Sequence, residues 1–384
     1  MDLVAGKAYP SERRPIRHVD GVLLLAVIGL VVSGLFMVYS ATHQSLGAVN
    51  LDPGTYLKRQ ATFAALGMIV VMVVASFDYR FLRIYAGMIY AASIVLLLLV
   101  RTPLGTAVKG SQRWFELFGF QLTPSELTKI ALILMLAAYL SELRRAGSDL
   151  SLQDLYSATA IAVLPALLVF LQPDLGTSIV LVSILVGMLV VAGTRGRHLG
   201  ILALTALVLI FGALQLGLVK EYQIARLTSF LDPENDPQRT GWNRQQAEIA
   251  IGSGGLTGNG YLGGSQTNLD FVPEQHTDFI FTVVGEEFGF VGAVTMLLAF
   301  AVILWRAFRI ALLSKDPFGT YVAAGVASMF AIQIFVNVGM TIGIMPITGI
   351  TLPFVSYGGT SVVANFLLLA GLLLVSNRAN TPRY

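Results

Sequence analysis

The chain has 384 residues, of which 55% are hydrophobic and only 12% are charged. Soluble domains carry about 25% charged residues, so this composition and a mean hydropathy of +0.74 indicate a protein that crosses a membrane many times. A net charge of +3 without a basic tract excludes nucleic acid as a partner, and the absence of cysteine excludes disulfides and thiol catalysis.

Apolar runs of helical length predict an all-α polytopic membrane protein with about ten transmembrane helices. The first run, from Val22 to about Ser40, is too long for the hydrophobic region of a signal peptide, and no small-residue cleavage site follows it. The predicted spans are 21–42, 60–77, 84–100, 124–141, 156–172, 177–193, 199–219, 288–305 (the apolar core of the eighth), 318–343 and 361–376.

Three segments between the predicted spans are unusual. Residues 101–124 form a polar, partly amphipathic loop, and residues 220–277 are the longest non-apolar stretch and rich in glycine. Residues 344–360 contain two prolines and three glycines. Non-helical backbone at membrane depth is tolerated only where it lines a cavity or is buried in protein, so this third segment is expected to border a cavity.

The basic residues of the short loops orient the chain with both termini in the cytoplasm. Residues 1–20 are then a cytoplasmic N-terminal tail, and residues 377–384 are a cytoplasmic C-terminal tail. Between them, residues 21–376 form a ten-helix transmembrane domain that includes a large extracytoplasmic loop, 220–277, between helices 7 and 8. Internal repeats are not evident, which weighs against an inverted-repeat transporter.

The unusual polar side chains collect on the predicted outer side. Glu126 and Lys129 share a helix face, and a lysine inside a span needs a partner or a water-filled cavity. Ordinary helix-capping roles stay open for residues 123–126, for Asp174 and for Thr277 or Asp278. The outer set comprises Arg59, Lys109, Arg113, Trp114, Glu126, Lys129, Asp174, His276, Asp278, Glu286, Glu287 and the loop Ser356-Tyr357-Gly358-Gly359.

Together these residues predict an outward-facing polar cavity with cationic groups and one exposed carboxylate, Asp278. The cationic groups suit a phosphate-bearing ligand, and the carboxylate suits a general base for a hydroxyl nucleophile. Glu286 and Glu287 are expected to pair with a basic residue of a neighbouring span. No metal-ligand spacing and no Walker loop appears in the sequence, so neither a metal centre nor ATP hydrolysis is indicated.

Four motifs, in order along almost the whole chain, resemble those of the SEDS family (shape, elongation, division, sporulation). Three shorter stretches, 230–237, 249–256 and 340–343, resemble its elongation branch, RodA, more than its division branch, FtsW. Thr123 and Thr351 depart from the usual motif residues, and neither position is ionisable. The motifs are QRW at 112–114 with TPSELTK at 123–129, QPDLGT at 172–177, HTDFIF at 276–281 with GEEFG at 285–289, and PFVSYGG at 353–359.

The resemblance implies an inverting peptidoglycan glycosyltransferase that polymerises lipid II into glycan strands for cell elongation and rod shape. The acceptor would be the 4-hydroxyl of a GlcNAc sugar, and undecaprenyl pyrophosphate would leave from MurNAc, on the outer face of the bacterial cytoplasmic membrane. Asp278 matches the family's essential carboxylate and is the predicted catalytic base. The predicted supporting residues of the cavity are Arg59, Trp114, Glu126, Lys129, Asp174 and Ser356.

The family also implies a class B penicillin-binding protein as transpeptidase partner, within a set of elongation-complex proteins. The chain itself has no Ser-x-x-Lys pair set in a soluble domain. No ligand cluster in the sequence requires a cofactor, and a divalent cation (Mg or Mn) stays open as an aid to the leaving pyrophosphate. A lipid II flippase, using the same cavity without bond formation, is the alternative, and a non-catalytic scaffold is a third interpretation. His276 has no predicted role.

Overall fold

The computed structural model describes residues 20–77, 79–108, 111–117, 120–145, 150–215, 230 and 240–379. Lys109, most of both predicted tails and most of 216–239 lie outside the described residues. The helices are α1 (Gly21–Ala48), α2 (Thr55–Ala75), α3 (Tyr79–Ile84), α4 (Ala86–Leu99), α5 (Pro124–Arg145), α6 (Leu152–Phe170), α7 (Leu175–Val191), α8 (Gly196–Gln215), α9 (Thr240–Ser253), α10 (Ser265–Asn268), α11 (Ile280–Leu313), α12 (Pro317–Thr341) and α13 (Gly359–Ala379).

Each of the ten predicted spans corresponds to a helix, which confirms the fold class. Within the described residues, six helices are long and apolar enough to cross a membrane: α1, α2, α6, α11, α12 and α13. The shorter apolar helices α4, α7 and most of α8 match three further predicted spans. The remaining predicted span is α5, which carries Glu126 and Lys129 in its first two turns.

The helix α12 lies at the centre of the bundle, where most of its side chains are buried. Small residues on α12 allow its neighbours to approach closely, as is common between membrane helices. At Gly325 an added Cβ would lie 2.9 Å from Ile133 Cγ2 of α5 and 3.0 Å from Met188 Sδ of α7. A side chain at this position would therefore separate three helices.

Residues 101–124, predicted as a loop, contain a three-stranded antiparallel sheet in the order β1 (Thr106–Val108), β2 (Ser111–Leu117) and β3 (Phe120–Leu122). Thr106 pairs with Trp114 across β1 and β2, and Phe115 pairs with Leu122 across β2 and β3. The Gln112 amide donates to the carbonyls of Thr102 (2.7 Å) and Gly105 (2.8 Å), which fixes the turn that follows α4.

The helix α11 is broken at Gly289, where φ is +62° and ψ is −159°. Only glycine adopts this backbone conformation readily. The glycine-rich segment before α11 fills the break: the Phe290 N–H donates to the Gly255 carbonyl at 2.9 Å. A Cβ at Gly289 would lie 2.4 Å from the Gly258 nitrogen. The break and the glycine-rich segment therefore form one unit.

Glu286 and Glu287 hold this same segment, and the expected pairing with a basic residue of a neighbouring span is wrong. The Glu286 carboxylate accepts hydrogen bonds from the N–H groups of Gln266 (2.7 Å) and Thr267 (2.9 Å) and from the Thr267 hydroxyl (2.7 Å). Glu287 accepts from the Leu262 N–H at 3.1 Å and from the Ser40 hydroxyl. Backbone N–H groups of a loop thus replace the expected cation.

Candidate functional site

Asp278 lies two residues before α11, at the end of a turn that begins at Glu274. Its N–H donates to the Glu274 carbonyl at 3.1 Å, and its own carbonyl accepts from Asn337 Nδ2 at 2.8 Å. The side chain is partly exposed. The N-cap of α11 is Phe279, without a side-chain cap, so the capping alternative for Thr277 and Asp278 is wrong. Capping of α11 therefore does not account for this carboxylate.

The segment 344–358 forms one wall beside Asp278 and is non-helical, whereas residues 359–360 of the predicted non-helical stretch begin α13. Asp278 Oδ2 lies 3.2 Å from the place that a Cβ on Gly349 would occupy. Ser356 is buried, and its hydroxyl accepts from the Leu352 N–H at 2.9 Å, which closes a turn within the wall. Ser356 therefore shapes this segment, and its hydroxyl is directed into its own turn.

Helix α2 fixes the end of the same segment through Gln60. The Gln60 amide donates to the Ser356 carbonyl at 3.0 Å and accepts from the Gly358 N–H at 3.4 Å. The intervening Tyr357 N–H donates to the His276 carbonyl at 2.8 Å. These bonds connect the start of α2, the segment 344–358 and the turn that carries Asp278.

Three rings pack together at this junction. The ring centroid of Tyr56 lies 4.8 Å from that of His276 and 4.9 Å from that of Tyr357. Arg59, one turn beyond Tyr56, is exposed and lies near the Tyr357 hydroxyl. Burial raises the pKa of Tyr357, and the neighbouring Arg59 opposes that shift. His276 thus gains a structural role, because its ring and carbonyl join Asp278's turn to the residues around Arg59.

Glu126 and Lys129 form a buried ion pair at the start of α5. Lys129 Nζ lies 2.8 Å from both carboxylate oxygens of Glu126, and the lysine side chain is 1% exposed. In a capping box the Thr123 N–H would donate to Glu126, but it donates to the Thr360 hydroxyl at 3.1 Å. That half of the predicted capping box is wrong, and the bond instead joins the start of α5 to the start of α13.

Asp174 caps α7, as its position after Pro173 predicts: its Oδ1 accepts from the Thr177 N–H at 3.2 Å. From β2, Arg113 Nε donates to the Gln172 carbonyl at 2.7 Å, and Arg113 Nη1 lies 3.8 Å from Asp174 Oδ1. The two motifs at 112–114 and 172–177 therefore stabilise one another.

Trp114 follows Arg113 on β2 and is partly buried. The first turn of α7 contacts the wall beside Asp278, since a Cβ at Gly176 would lie 2.6 Å from Ile350 Cγ1. The helix starts of α2, α5, α7, α11 and α13 are thus connected to the segment 344–358, directly, through Asn337 or through Thr360. Asp278 contacts Asn337 and the backbone at Gly349, Arg59 lies near Tyr357, and Trp114 lies on the sheet.

Two residues of this arrangement were not anticipated from sequence, Gln60 and Asn337. Both are buried and both donate to carbonyls of the segment 344–358. The signal that could have found them is an uncharged amide in or beside an apolar span, because a polar group in a membrane helix requires a partner.

The predicted divalent cation has no protein-built site among the described residues: no group of three or more His, Asp or Glu side chains could hold a metal ion there. A cation at Asp278 would take most of its ligands from phosphate oxygens and water. That a cation assists the leaving pyrophosphate is untested by these residues and stays open.

Fold and site together define a polytopic membrane protein with a carboxylate and a guanidinium gathered around one non-helical segment. The chain belongs to the FtsW/RodA/SpoVE group of membrane proteins, the SEDS family: the family model described as "Cell cycle protein" matches residues 21–381. This confirms the family predicted from the four motifs.

Relatives from several branches of the family match with similar identity. The probable peptidoglycan glycosyltransferase FtsW of Geobacter metallireducens is 38% identical over 96% of this chain and 98% of its own length. Stage V sporulation protein E of Bacillus subtilis is 39% identical over 93% of this chain and 96% of its own length. The peptidoglycan glycosyltransferase MrdB of Escherichia coli K12 is 36% identical, over 93% and 92%. Identity does not single out the RodA branch, which stays a prediction.

Solved structures share the fold over the whole length. A chain described under "Structural coordination of polymerization and crosslinking by a peptidoglycan synthase complex" matches with a TM-score of 0.79 and 31% identity, over 96% of this chain and 100% of that one. The rod shape determining protein RodA of Thermus thermophilus matches with a TM-score of 0.70 and 29% identity, over 95% and 99%.

Proposed function

We propose that this chain is a peptidoglycan glycosyltransferase of the SEDS family that polymerises lipid II into glycan strands. Family membership and the names of relatives such as FtsW and MrdB support the activity. The observation that carries the assignment of the site is the position of Asp278. Its partly exposed carboxylate stands beside the segment 344–358, whose Tyr357 has the exposed Arg59 as a neighbour.

In the proposed reaction, Asp278 takes the proton of the acceptor 4-hydroxyl as that oxygen attacks the anomeric carbon of the donor MurNAc. A glycosidic C–O bond forms while the bond from that carbon to the pyrophosphate oxygen breaks, with inversion. Undecaprenyl pyrophosphate leaves with the electron pair. A single base is sufficient because the pyrophosphate leaves as an anion and needs no proton.

Arg59 and Lys129 supply positive charge for the leaving group, in different ways. Arg59 is exposed, so its guanidinium can contact the pyrophosphate with paired N–H groups. Lys129 is buried against Glu126 and acts at longer range. Preorganised charge of this kind stabilises a developing anion without reorganising at the moment of reaction. Glu126 keeps Lys129 charged and oriented.

The proposal includes a cellular setting. The protein is a multi-pass protein of the bacterial inner membrane, consistent with its apolar helices and its family. We infer that both termini lie in the cytoplasm and the site on the outer side, and that the chain serves cell elongation and rod shape. A class B penicillin-binding protein is the inferred partner, supported by the similarity to a chain of a peptidoglycan synthase complex.

The test is polymerisation of lipid II by the purified chain, alone and with its transpeptidase partner. Asp278→Ala and Asp278→Asn should reduce glycan synthesis by at least about 100-fold, in the range found when a general base is removed. The variants should keep the wild-type size-exclusion profile. Normal glycan synthesis by either variant would refute the assignment of Asp278. Translocation of labelled lipid II without any polymer from the wild-type chain would favour the flippase.

A further inference from the structure

We propose that Asn337 is a positioning residue that sets the place of the Asp278 carboxylate. The inference rests on the proposed function, because it concerns the group that takes the proton. Asn337 lies in α12, is 0% exposed, and acts on Asp278 through the backbone.

One amide nitrogen joins three parts of the chain. Asn337 Nδ2 donates to the Asp278 carbonyl at 2.8 Å and to the Ile350 carbonyl at 2.7 Å. The first carbonyl belongs to the turn before α11, and the second belongs to the segment 344–358. Neither carbonyl lies in a helix or a strand, so no regular ladder fixes it.

The second bond also places the surface against which the carboxylate rests. Ile350 follows Gly349, whose φ of +76° is in the left-handed region and whose missing Cβ leaves room for Asp278 Oδ2. Asn337 therefore fixes both the backbone from which the carboxylate projects and the wall beside it. A general base acts only when it is held within hydrogen-bonding reach of the proton that it takes.

The residue type fits this task. Two carbonyls need two N–H groups, and an amide supplies both from one nitrogen. The arrangement has a cost, because Asn337 Oδ1 is buried and has no hydrogen-bond partner among the described residues. A leucine would avoid that cost and would leave both carbonyls without a donor.

If Asn337 only stabilises the fold, its replacement should act like the replacement of another buried amide on α12. If Asn337 positions Asp278, its replacement should lower kcat specifically. Gln333 provides the matched control, since it lies one turn earlier on α12, is 1% exposed, and also has a buried amide oxygen without a partner in the described chain. Asn337→Leu, Asn337→Asp and Gln333→Leu are compared for kcat and KM with lipid II, at equal amounts of monodisperse protein.

Positioning predicts that both Asn337 variants lose at least about tenfold in kcat while KM stays within about twofold, because small misplacements act on the chemical step. Gln333→Leu should keep both constants even where its melting temperature falls. Asn337→Asp has the shape of asparagine and decides the matter if Asn337→Leu does not fold. A kcat within twofold of wild type in a folded Asn337 variant overturns the inference, as does an equal loss in Gln333→Leu.

Asp278→Ala, measured beside these variants, separates the inference from the proposed function. Polymerisation that survives Asp278→Ala refutes the proposed base, whatever the Asn337 variants do. Polymerisation that is lost in Asp278→Ala but normal in the Asn337 variants refutes only the positioning role.

Discussion

Lys129 is a costly side chain for its position, since its ammonium group is buried in α5 and lies 2.8 Å from the Glu126 carboxylate. Burying such a pair stabilises a protein little, because desolvation of two charges offsets their attraction. Removing one partner, however, leaves a buried charge uncompensated. Whether the pair serves folding or the reaction can therefore be decided by changing one partner and then both.

Glu126→Gln alone should lower the free energy of unfolding, because the buried Lys129 charge loses its partner. The loss should be at most about 3–5 kcal/mol, since Glu126 is partly exposed and water can screen the site. Combining Glu126→Gln with Lys129→Met should recover most of that loss, since two neutral side chains of similar volume replace the pair. Glycan synthesis should stay low in the double variant if the lysine charge serves the leaving group. Thermal unfolding in detergent and a lipid II assay measure the two effects.

Thermal unfolding and the lipid II assay of the double variant can also contradict a role for the Lys129 charge in the reaction. A double variant that regains both thermal stability and glycan synthesis would show that the buried pair is structural, and Arg59 alone would then remain as the proposed cationic group. A control for lost fold is the elution volume of each variant beside the wild type.

At the scale of elements, hydropathy located ten helices, because an α-helix satisfies its own backbone hydrogen bonds where lipid supplies none. It did not locate the β-sheet, because strands of three and seven residues in a polar loop give a weak alternation signal. The start of α11 lies well before the apolar run that predicted it, since Glu286 and Glu287 interrupt that run and are satisfied by loop N–H groups. Such long-range bonds are not readable from local sequence.

The break in α11 makes an element-scale prediction at Gly289. Gly289→Ala adds a Cβ 2.4 Å from the Gly258 nitrogen and forces an L-residue to a φ of +62°. Backbone strain of this kind costs about 1–3 kcal/mol before the overlap is counted. We expect a lower melting temperature and a loss of lipid II polymerisation, because the strain would disturb α11, which begins two residues after Asp278.

Gly87→Ala is the matched control for that change. Gly87 lies inside α4, and an added Cβ there meets nothing within 4 Å. Gly87→Ala should leave melting temperature and activity unchanged or slightly raised, since alanine favours a helix over glycine. Equal losses in both variants would mean that the break at Gly289 has no special role.

At the scale of the whole molecule, α1 and α11 are tied together near both ends. Asp20 caps α1 through the Leu23 N–H at 3.1 Å and accepts from Arg306 Nε at 2.7 Å. Toward the other end the Ser40 hydroxyl donates to Glu287. The proposed site lies at the Glu287 end, because α11 begins two residues after Asp278. The Asp20 end is the one that the basic loops assign to the cytoplasm.

The side of the membrane that each end of the bundle faces can be tested by labelling introduced cysteines, because the chain has no native cysteine that would react. Thr257→Cys places an exposed thiol on the glycine-rich segment, and Arg197→Cys places one in the first turn of α8. In spheroplasts a membrane-impermeant maleimide should label the thiol at position 257, and it should reach position 197 only after permeabilisation. Since the predicted span 199–219 separates the two positions along the chain, labelling of both from outside would contradict that predicted span. The reverse labelling pattern would place the Asp278 carboxylate in the cytoplasm, where it could not act on substrate presented at the outer face.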